Sequence, residues 1–207
     1  THFSSAGSDP DFTRYQLKEF LDLTDYAKKL KLKFIAHTAN SDAIFLHTES
    51  HLDMVRPGIS LYGLWPYEVN STNIKLDPVL SWKTKIVFLK KISEGTSISY
   101  GKTFTVKRPS VIATLPVGYA DGYNRLLSNK GAVLVRGKRC PVLGRVTMDM
   151  IMVDVTGLEK AEIGDEAVLI GRQGEDQITA REIAELVGTI NYEIVCSISY
   201  RVPRILV

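Results

Sequence analysis

The sequence predicts an α/β segment followed by a mostly-β segment, and three observations carry that expectation. Up to about residue 63, short apolar runs alternate with helix signals, which is the pattern of strand–helix units. That pattern changes after Asn70, and Lys75 to Leu80 has the look of a linker. From Trp82 onward, strand-like runs follow one another with Gly or Pro between them. The division falls between residues 1–74 and 75–207.

In the first part, Thr1-His2-Phe3 reads as the end of a strand. No Met precedes it, and the chain is expected to be a piece of a longer protein. Ser8 to Asp11, with Pro10 near the first turn, signals a helix start. Phe20, Leu23, Ala27 and Leu30 recur at three- and four-residue spacing, one helix face, while Lys18, Glu19, Asp22, Asp25 and Lys29 fill the other. Phe34-Ile35-Ala36 is fit for a buried strand. A loop of small polar groups follows, His37 to Ser41, and Asp42 to Leu46 begins a second helix. Met54-Val55 leads into Arg56-Pro57-Gly58, and Ile59 to Gly63 reads as another strand. A TIM barrel takes about 250 residues and eight units, and roughly three are present. A small open α/β sheet is the alternative, and an incomplete barrel, of which these would be the last βα units, fits the abrupt N-terminus better.

In the second part the expected strands are Trp82 to Lys91, Thr96 to Tyr100, Ser110 to Leu115, Ala132 to Val135, Arg139 to Leu143, Met150 to Val155 and Ala167 to Gly171. Val135 to Arg139 is a hairpin candidate, and Ile163-Gly164-Asp165 is a turn before a strand. One helix interrupts them from Thr179 to Leu186, where Thr179 and Glu182 have capping-box spacing. Ile194 to Tyr200 reads as a last strand. A small barrel or sandwich accounts for this set.

Composition excludes several classes. Apolar content of 44% suits a chain that buries a core. A net charge of +3, scattered along the chain, lacks the gathered basic face of a nucleic-acid binder. Lys28-Lys29 and Lys90-Lys91 are solvated faces. No apolar stretch reaches the length of a membrane span, and the N-terminus has no signal pattern. Cys140 and Cys196 form no CxxC pair and are read as buried and reduced. His47 and His51 are four apart but flank a stretch without apolar period, so no metal is expected there.

The chain is organised around Ser97-Ile98-Ser99-Tyr100-Gly101-Lys102-Thr103, where a phenol stands at a strand end before a turn-permitting Gly. Ser41 lies at the mouth of a helix, where free N–H groups and the local dipole favour an anion. Gly58 lets backbone come close to a ligand. Arg56 follows an apolar run, and a buried guanidinium needs a partner: an ion pair with Asp53 or another acid, or a ligand.

With these stretches stand His37-Thr38-Ala39-Asn40-Ser41, Gly118-Tyr119-Ala120-Asp121-Gly122-Tyr123, Gly144-Arg145-Val146-Thr147-Met148-Asp149, Asn191-Tyr192-Glu193 and Ser199-Tyr200-Arg201-Val202-Pro203-Arg204. In this order, over nearly the whole chain, they resemble the C-terminal part of alanine racemase, a pyridoxal 5'-phosphate (PLP) enzyme. The resemblance implies interconversion of L- and D-alanine by two bases, D-alanine supply for peptidoglycan, a homodimer with a shared active site, and a cytoplasmic location. It implies that Ser41, Gly58, Ile59 and Tyr192 hold the cofactor phosphate. Arg56 would face the ring nitrogen and keep it unprotonated, since Arg does not give up its proton, and the weaker electron sink suits a racemase. Tyr100 would be one of the two bases, supplied across the dimer interface, and His2 would contact both Arg56 and Tyr100. A free phenol titrates near ~10, so a basic Tyr needs positive or hydrogen-bonding neighbours, and His2 and Arg56 are the candidates. Tyr119, Arg125, Arg145, Met148 (through its backbone) and Asp149 match positions at the substrate and its access path, with Tyr119 and Tyr192 narrowing the passage.

The family's PLP lysine lies in a stretch resembling A-V-x-K-A-x-A-Y-G, which does not occur in these residues, and Lys102 does not replace it. The fragment alone is therefore expected to be inactive. The alternatives are a non-catalytic dimerisation or assembly fragment, or a related racemase acting on serine or lysine. A decarboxylase is disfavoured by Arg56.

Overall fold

The computed structural model describes residues 1–66 and 74–207, so the change of pattern expected after Asn70 lies outside the described residues. The chain divides into two compact units, Thr1–Val79 and Leu80–Val207.

The first unit is built on α1, Pro10–Lys29, and α2, Ser41–Leu46. The Asp9 carboxylate accepts from the Phe12 amide at 2.9 Å and Pro10 opens the first turn, which satisfies the helix start. Lys28 and Lys29 complement the dipole at the other end. The buried face of α1 is not the expected one. Thr13, Leu17 and Thr24 are buried, while Leu23 and Leu30 are 64% and 55% exposed. The two threonines can turn inward because each hydroxyl donates to a helix carbonyl, Asp9 O or Leu21 O, at 2.8 Å. Asn40 caps α2, its side chain accepting from the Ala43 amide at 3.0 Å.

Among the described residues this unit has no strand. Thr1-His2-Phe3 and Phe34-Ile35-Ala36 lie outside any ladder. Residues 36–39 are tied to residues 53–56 by only two backbone bonds, Asp53 N to Ala36 O and Arg56 N to Ala39 O. The expected strand at Ile59 to Gly63 is instead a 3₁₀ turn, Ile59–Tyr62. Gly63 closes it at φ 70°, and a side chain there would also strike the Asp77 carbonyl. Phe3, Ala6, Leu17, Ala39 and Ala43 form the unit's small core.

The second unit is antiparallel throughout. Strands β1 Trp82–Lys85, β2 Phe88–Ile92, β3 Ser97–Ile98, β4 Phe104–Thr105, β5 Ser110–Leu115, β6 Ala132–Val135, β7 Lys138–Pro141, β8 Ile151–Asp154, β9 Glu166–Gln173 and β10 Asp176–Ile178 form three sheets. One runs β1-β9-β6-β7 with β10 also on β9, one is β2-β5-β8, and one is β3-β4. The run expected as one strand from Trp82 to Lys91 is two strands in different sheets. At the break Ile86 N donates to Asp165 O, while Val87 N donates to Thr114 O, so the chain changes partner between adjacent residues. Strand Thr96 to Tyr100 shrinks to β3, because Ser99 leaves the extended region at φ 63°.

The β6–β7 hairpin turns on Arg136 and Gly137, both at positive φ, the pairing that matches strand twist. Strand β9 is buried at five consecutive positions, as a strand covered on both faces should be. Helix α3, Ala180–Val187, is capped by the Thr179 hydroxyl, which accepts from the Glu182 amide at 3.0 Å, and ends at Gly188. The last element is not the expected strand but α4, Asn191–Cys196. Its β-branched pair, Ile194-Val195, reads as strand, yet Ile194 is buried and the element packs beside α3. Tertiary contact overrides a weak local preference there. Among the described residues no helix is long and apolar enough to cross a membrane.

Candidate active site

Six of the residues singled out in the second unit line one cleft of about 660 Å³: Tyr100, Tyr119, Arg125, Arg145, Met148 and Asp149. Val146, Thr147 and Met150 complete its wall. Two loops build it. Tyr119 N donates to Thr147 O and Ala120 N to Met148 O, each at 3.0 Å. That close approach needs Gly118, where a side chain would collide with both carbonyls.

Tyr100 is 75% exposed, its phenol aimed outward as the sequence reading expects. The residues around it are unusual. Ser99, Gly101 and Lys102 all have positive φ, at 63°, 71° and 49°. For Ser and Lys this stores strain of ~1–3 kcal/mol each.

The cleft's charge is set by arginines. The Asp149 carboxylate accepts from Arg201 Nη2 at 2.7 Å, and Asp121 lies 3.5 Å from Arg201 Nε. The hydrogen bond that Arg201 donates to Asp149, and then the charge of Asp121, hold the Arg201 guanidinium above its usual range. Asp149 is thus already paired. The Arg125 and Arg145 guanidiniums have no hydrogen-bond or ion-pair partner among the described residues. Two unsatisfied forked donors beside a phenol suit a small carboxylate. Arg201 carries no role in the sequence analysis. It stands in the Ser199 to Arg204 motif, but its two acid partners lie far along the chain.

The first unit holds the other group. Arg56 Nη2 donates to Thr1 O at 2.8 Å and Thr38 O at 3.2 Å and meets His2 Nδ1 at 3.3 Å, and Nη1 meets His37 Nδ1. A guanidinium only donates, so each imidazole presents its bare nitrogen to it. Asp53 is not the partner: its carboxylate accepts from the Ala36 amide at 2.8 Å. Arg56 therefore donates to carbonyl oxygens and ring nitrogens, with N–H groups to spare. Its contact to His2 is present within this unit, while His37 is a partner the sequence reading assigned no role.

Ser41 is 3% exposed. Its Oγ accepts from the Gly58 amide at 2.8 Å and lies 3.2 Å from Ser60 Oγ. The Ile59 amide beside it has no partner among the described residues. Hydroxyl and N–H donors converging without a carboxylate between them fit a phosphate. A donor-only guanidinium with spare N–H groups likewise fits a ring-nitrogen acceptor, so the residues present suit PLP.

Tyr192 sits half-buried on α4 and does not line the cleft with Tyr119. Cys140 is buried but Cys196 is exposed, since α4 turns it outward. His47 and His51 each meet a carbonyl oxygen, of Ala6 and Ile44, at 3.0 Å through Nε2.

Comparison with known proteins places these observations. Residues 1–66 match the family model for the alanine racemase N-terminal domain, and residues 79–206 match that for the C-terminal domain. Alanine racemase of Halothermothrix orenii is 55% identical over 99% of this chain and 54% of its own length. Alanine racemase 2 of Caldanaerobacter subterraneus subsp. tengcongensis is 50% identical, covering 99% of this chain and 53% of its own. The chain spans about half the length of the curated relatives it matches. Among solved structures, alanine racemase from Clostridium difficile in complex with cycloserine superposes with a TM-score of 0.91 at 39% identity, covering 98% of this chain and 54% of that one. The enzyme from Bartonella henselae with covalently bound pyridoxal phosphate gives 0.84 at 33%, over 99% and 55%. The fold is accordingly the closing part of a TIM-type barrel followed by a mostly-β domain. The chain belongs to the alanine racemase family.

Proposed function

We propose that the protein carrying this chain interconverts L- and D-alanine with PLP, as a cytoplasmic homodimer that supplies D-alanine for peptidoglycan. The observation that carries the reading is the cleft of the second unit, where one outward phenol stands with two guanidiniums that have no partner among the described residues and suit a carboxylate. When bound, PLP supplies the electron sink that makes the substrate's α-proton removable.

The chain's own residues divide the remaining work. The Ser41 hydroxyl and the Gly58 and Ile59 amides hold the phosphate. Arg56 donates to the ring nitrogen and leaves it unprotonated, because a guanidinium has no proton to yield. His2 steadies Arg56. Tyr100, supplied across the dimer interface, takes the α-proton on its phenolic oxygen from one face or returns one there. Arg125 and Arg145 draw in the substrate carboxylate, the Met148 backbone and Tyr119 narrow the space around a methyl group, and Asp149 is kept in place by Arg201.

The test is turnover of L-alanine, L-serine and L-lysine by the full-length protein with PLP. Alanine is expected to react fastest, and Tyr100→Phe is expected to lower that rate by ~10²–10⁴. A preference for serine or lysine would reassign the substrate, and an unimpaired Tyr100→Phe would remove Tyr100 from the mechanism. The 207-residue chain alone is expected to be inactive and to form no borohydride-stable PLP adduct on a lysine.

A further inference from the structure

The loop that carries Tyr100 is bent through three residues of positive φ, and such a bend persists only where neighbours over-determine it. The neighbours can be named. On the N-terminal flank, Ser99 Oγ donates to Arg145 O at 2.8 Å. Gly144 comes so near that a Cβ there would lie 2.7 Å from Ser99 Cβ. On the C-terminal flank stands Asn129. Its Nδ2 donates to Thr103 O at 3.4 Å and Thr103 Oγ1 at 3.3 Å, and its Oδ1 accepts from Gly144 N at 2.6 Å. One carboxamide thus joins the end of the Tyr100 loop to the residue before Arg145. Asn129 itself is left-handed, at φ 59°, a conformation that Asn tolerates better than other side chains.

We propose that Asn129 is a positioning residue that fixes Tyr100 relative to Arg145. The inference rests on the reading of Tyr100 as a base and Arg145 as a carboxylate site. Asn129 touches neither reacting atom. It acts by holding the donor of one group and the acceptor of the other at a set separation. Both donor and acceptor of the carboxamide are used, so only an amide side chain of this length completes the bridge.

The experiment uses the full-length PLP-loaded protein with Asn129→Gly and Asn129→Asp. Gly accepts the backbone conformation without strain. Asp keeps the acceptor for Gly144 N and loses the donor to Thr103. With Asn129→Gly, kcat is expected to fall about ten- to a hundredfold, as misplacement of a reacting group does. KM for alanine should move by less than about threefold. The deciding readout is the α-deuterium isotope effect on kcat/KM, measured from each enantiomer. It should rise for one enantiomer alone, the one for which Tyr100→Phe also raises it, with a smaller rise for Asn129→Asp. A smaller folded fraction would scale kcat but leave both isotope effects untouched. That result, or an equal rise for both enantiomers, would overturn the positioning role. If Tyr100→Phe itself showed no selectivity, the reading of Tyr100 would fall instead, so the two failures are separable.

Discussion

The two units differ in what they can hold together by themselves. The second has a continuous interior: Val133, Leu134, Val135, Ile151, Val153, Ala167, Val168 and Leu169 are fully buried, and every strand has an antiparallel partner. In the first, extended segments are joined by isolated backbone bonds, and large apolar side chains such as Leu23, Ile35 and Leu61 lie open. The chemistry divides along the same line. The first unit offers neutral donors and a guanidinium suited to a phosphate-bearing ring. The second offers a phenol and guanidiniums suited to a small carboxylate. A unit that completes its own core can store strain at Tyr100. A unit with a small core keeps its binding groups in order through local bonds, Ser41 to Gly58 and Arg56 to its histidines.

That contrast can be broken by substitution. Leu134→Ala should destabilise the second unit by ~2–5 kcal/mol, the cost of lost transfer plus a cavity, whereas Leu23→Ala on α1 should change stability by no more than ~0.5 kcal/mol. Denaturant titration of each variant chain decides, and equal effects would mean that the first unit is packed as tightly as the second. A smaller effect belongs to the α3 cap. Thr179→Ala should cost ~0.5–2 kcal/mol and speed amide exchange in α3, because the Glu182 amide loses its acceptor.

Acid should act on the second unit through Asp165. A hydrogen bond from Arg136 holds its carboxyl below the usual carboxylate range. A depressed native pKa means that the stabilisation is fully present above the unfolded value of ~3.9 and is lost as pH falls through the native one. Tm measured from pH 6 to pH 2 should therefore fall more steeply for the parent chain than for Asp165→Asn. Parallel curves would show that the pair contributes nothing. The smallest effect is chemical. Burial, and then the charge of Asp154, push the Cys140 thiol up to about 11, while Cys196 is exposed. At pH 8 a thiol reagent should label Cys196 rapidly and Cys140 only on unfolding.

The β-rich half was legible where local chemistry and tertiary structure agree. The Arg136-Gly137 turn, the Thr179 cap and strand Ser110–Leu115 are each specified by residues a few positions apart. Misreadings occur where a distant partner decides. Residues 34–36 and 59–63 have strand composition but no ladder, Ile194-Val195 is drawn into a helix beside α3, and the change of sheet at Ile86 depends on Asp165 and Thr114. The candidate site shows the same limit. Tyr100, Arg145 and Asp149 stand in short motifs that a resemblance can carry across. The Arg201 pairing and the Asn129 bridge join residues tens of positions apart, and no local pattern announces them.

The most direct test of the central claim is the α-deuterium isotope effect on kcat/KM for Tyr100→Phe in the full-length protein, measured separately from L-alanine and D-alanine. A rise is expected for one enantiomer and none for the other, because Tyr100 takes the proton from a single face. Equal isotope effects from both sides, at a rate close to the parent's, would contradict it and leave the cleft a binding surface without a base.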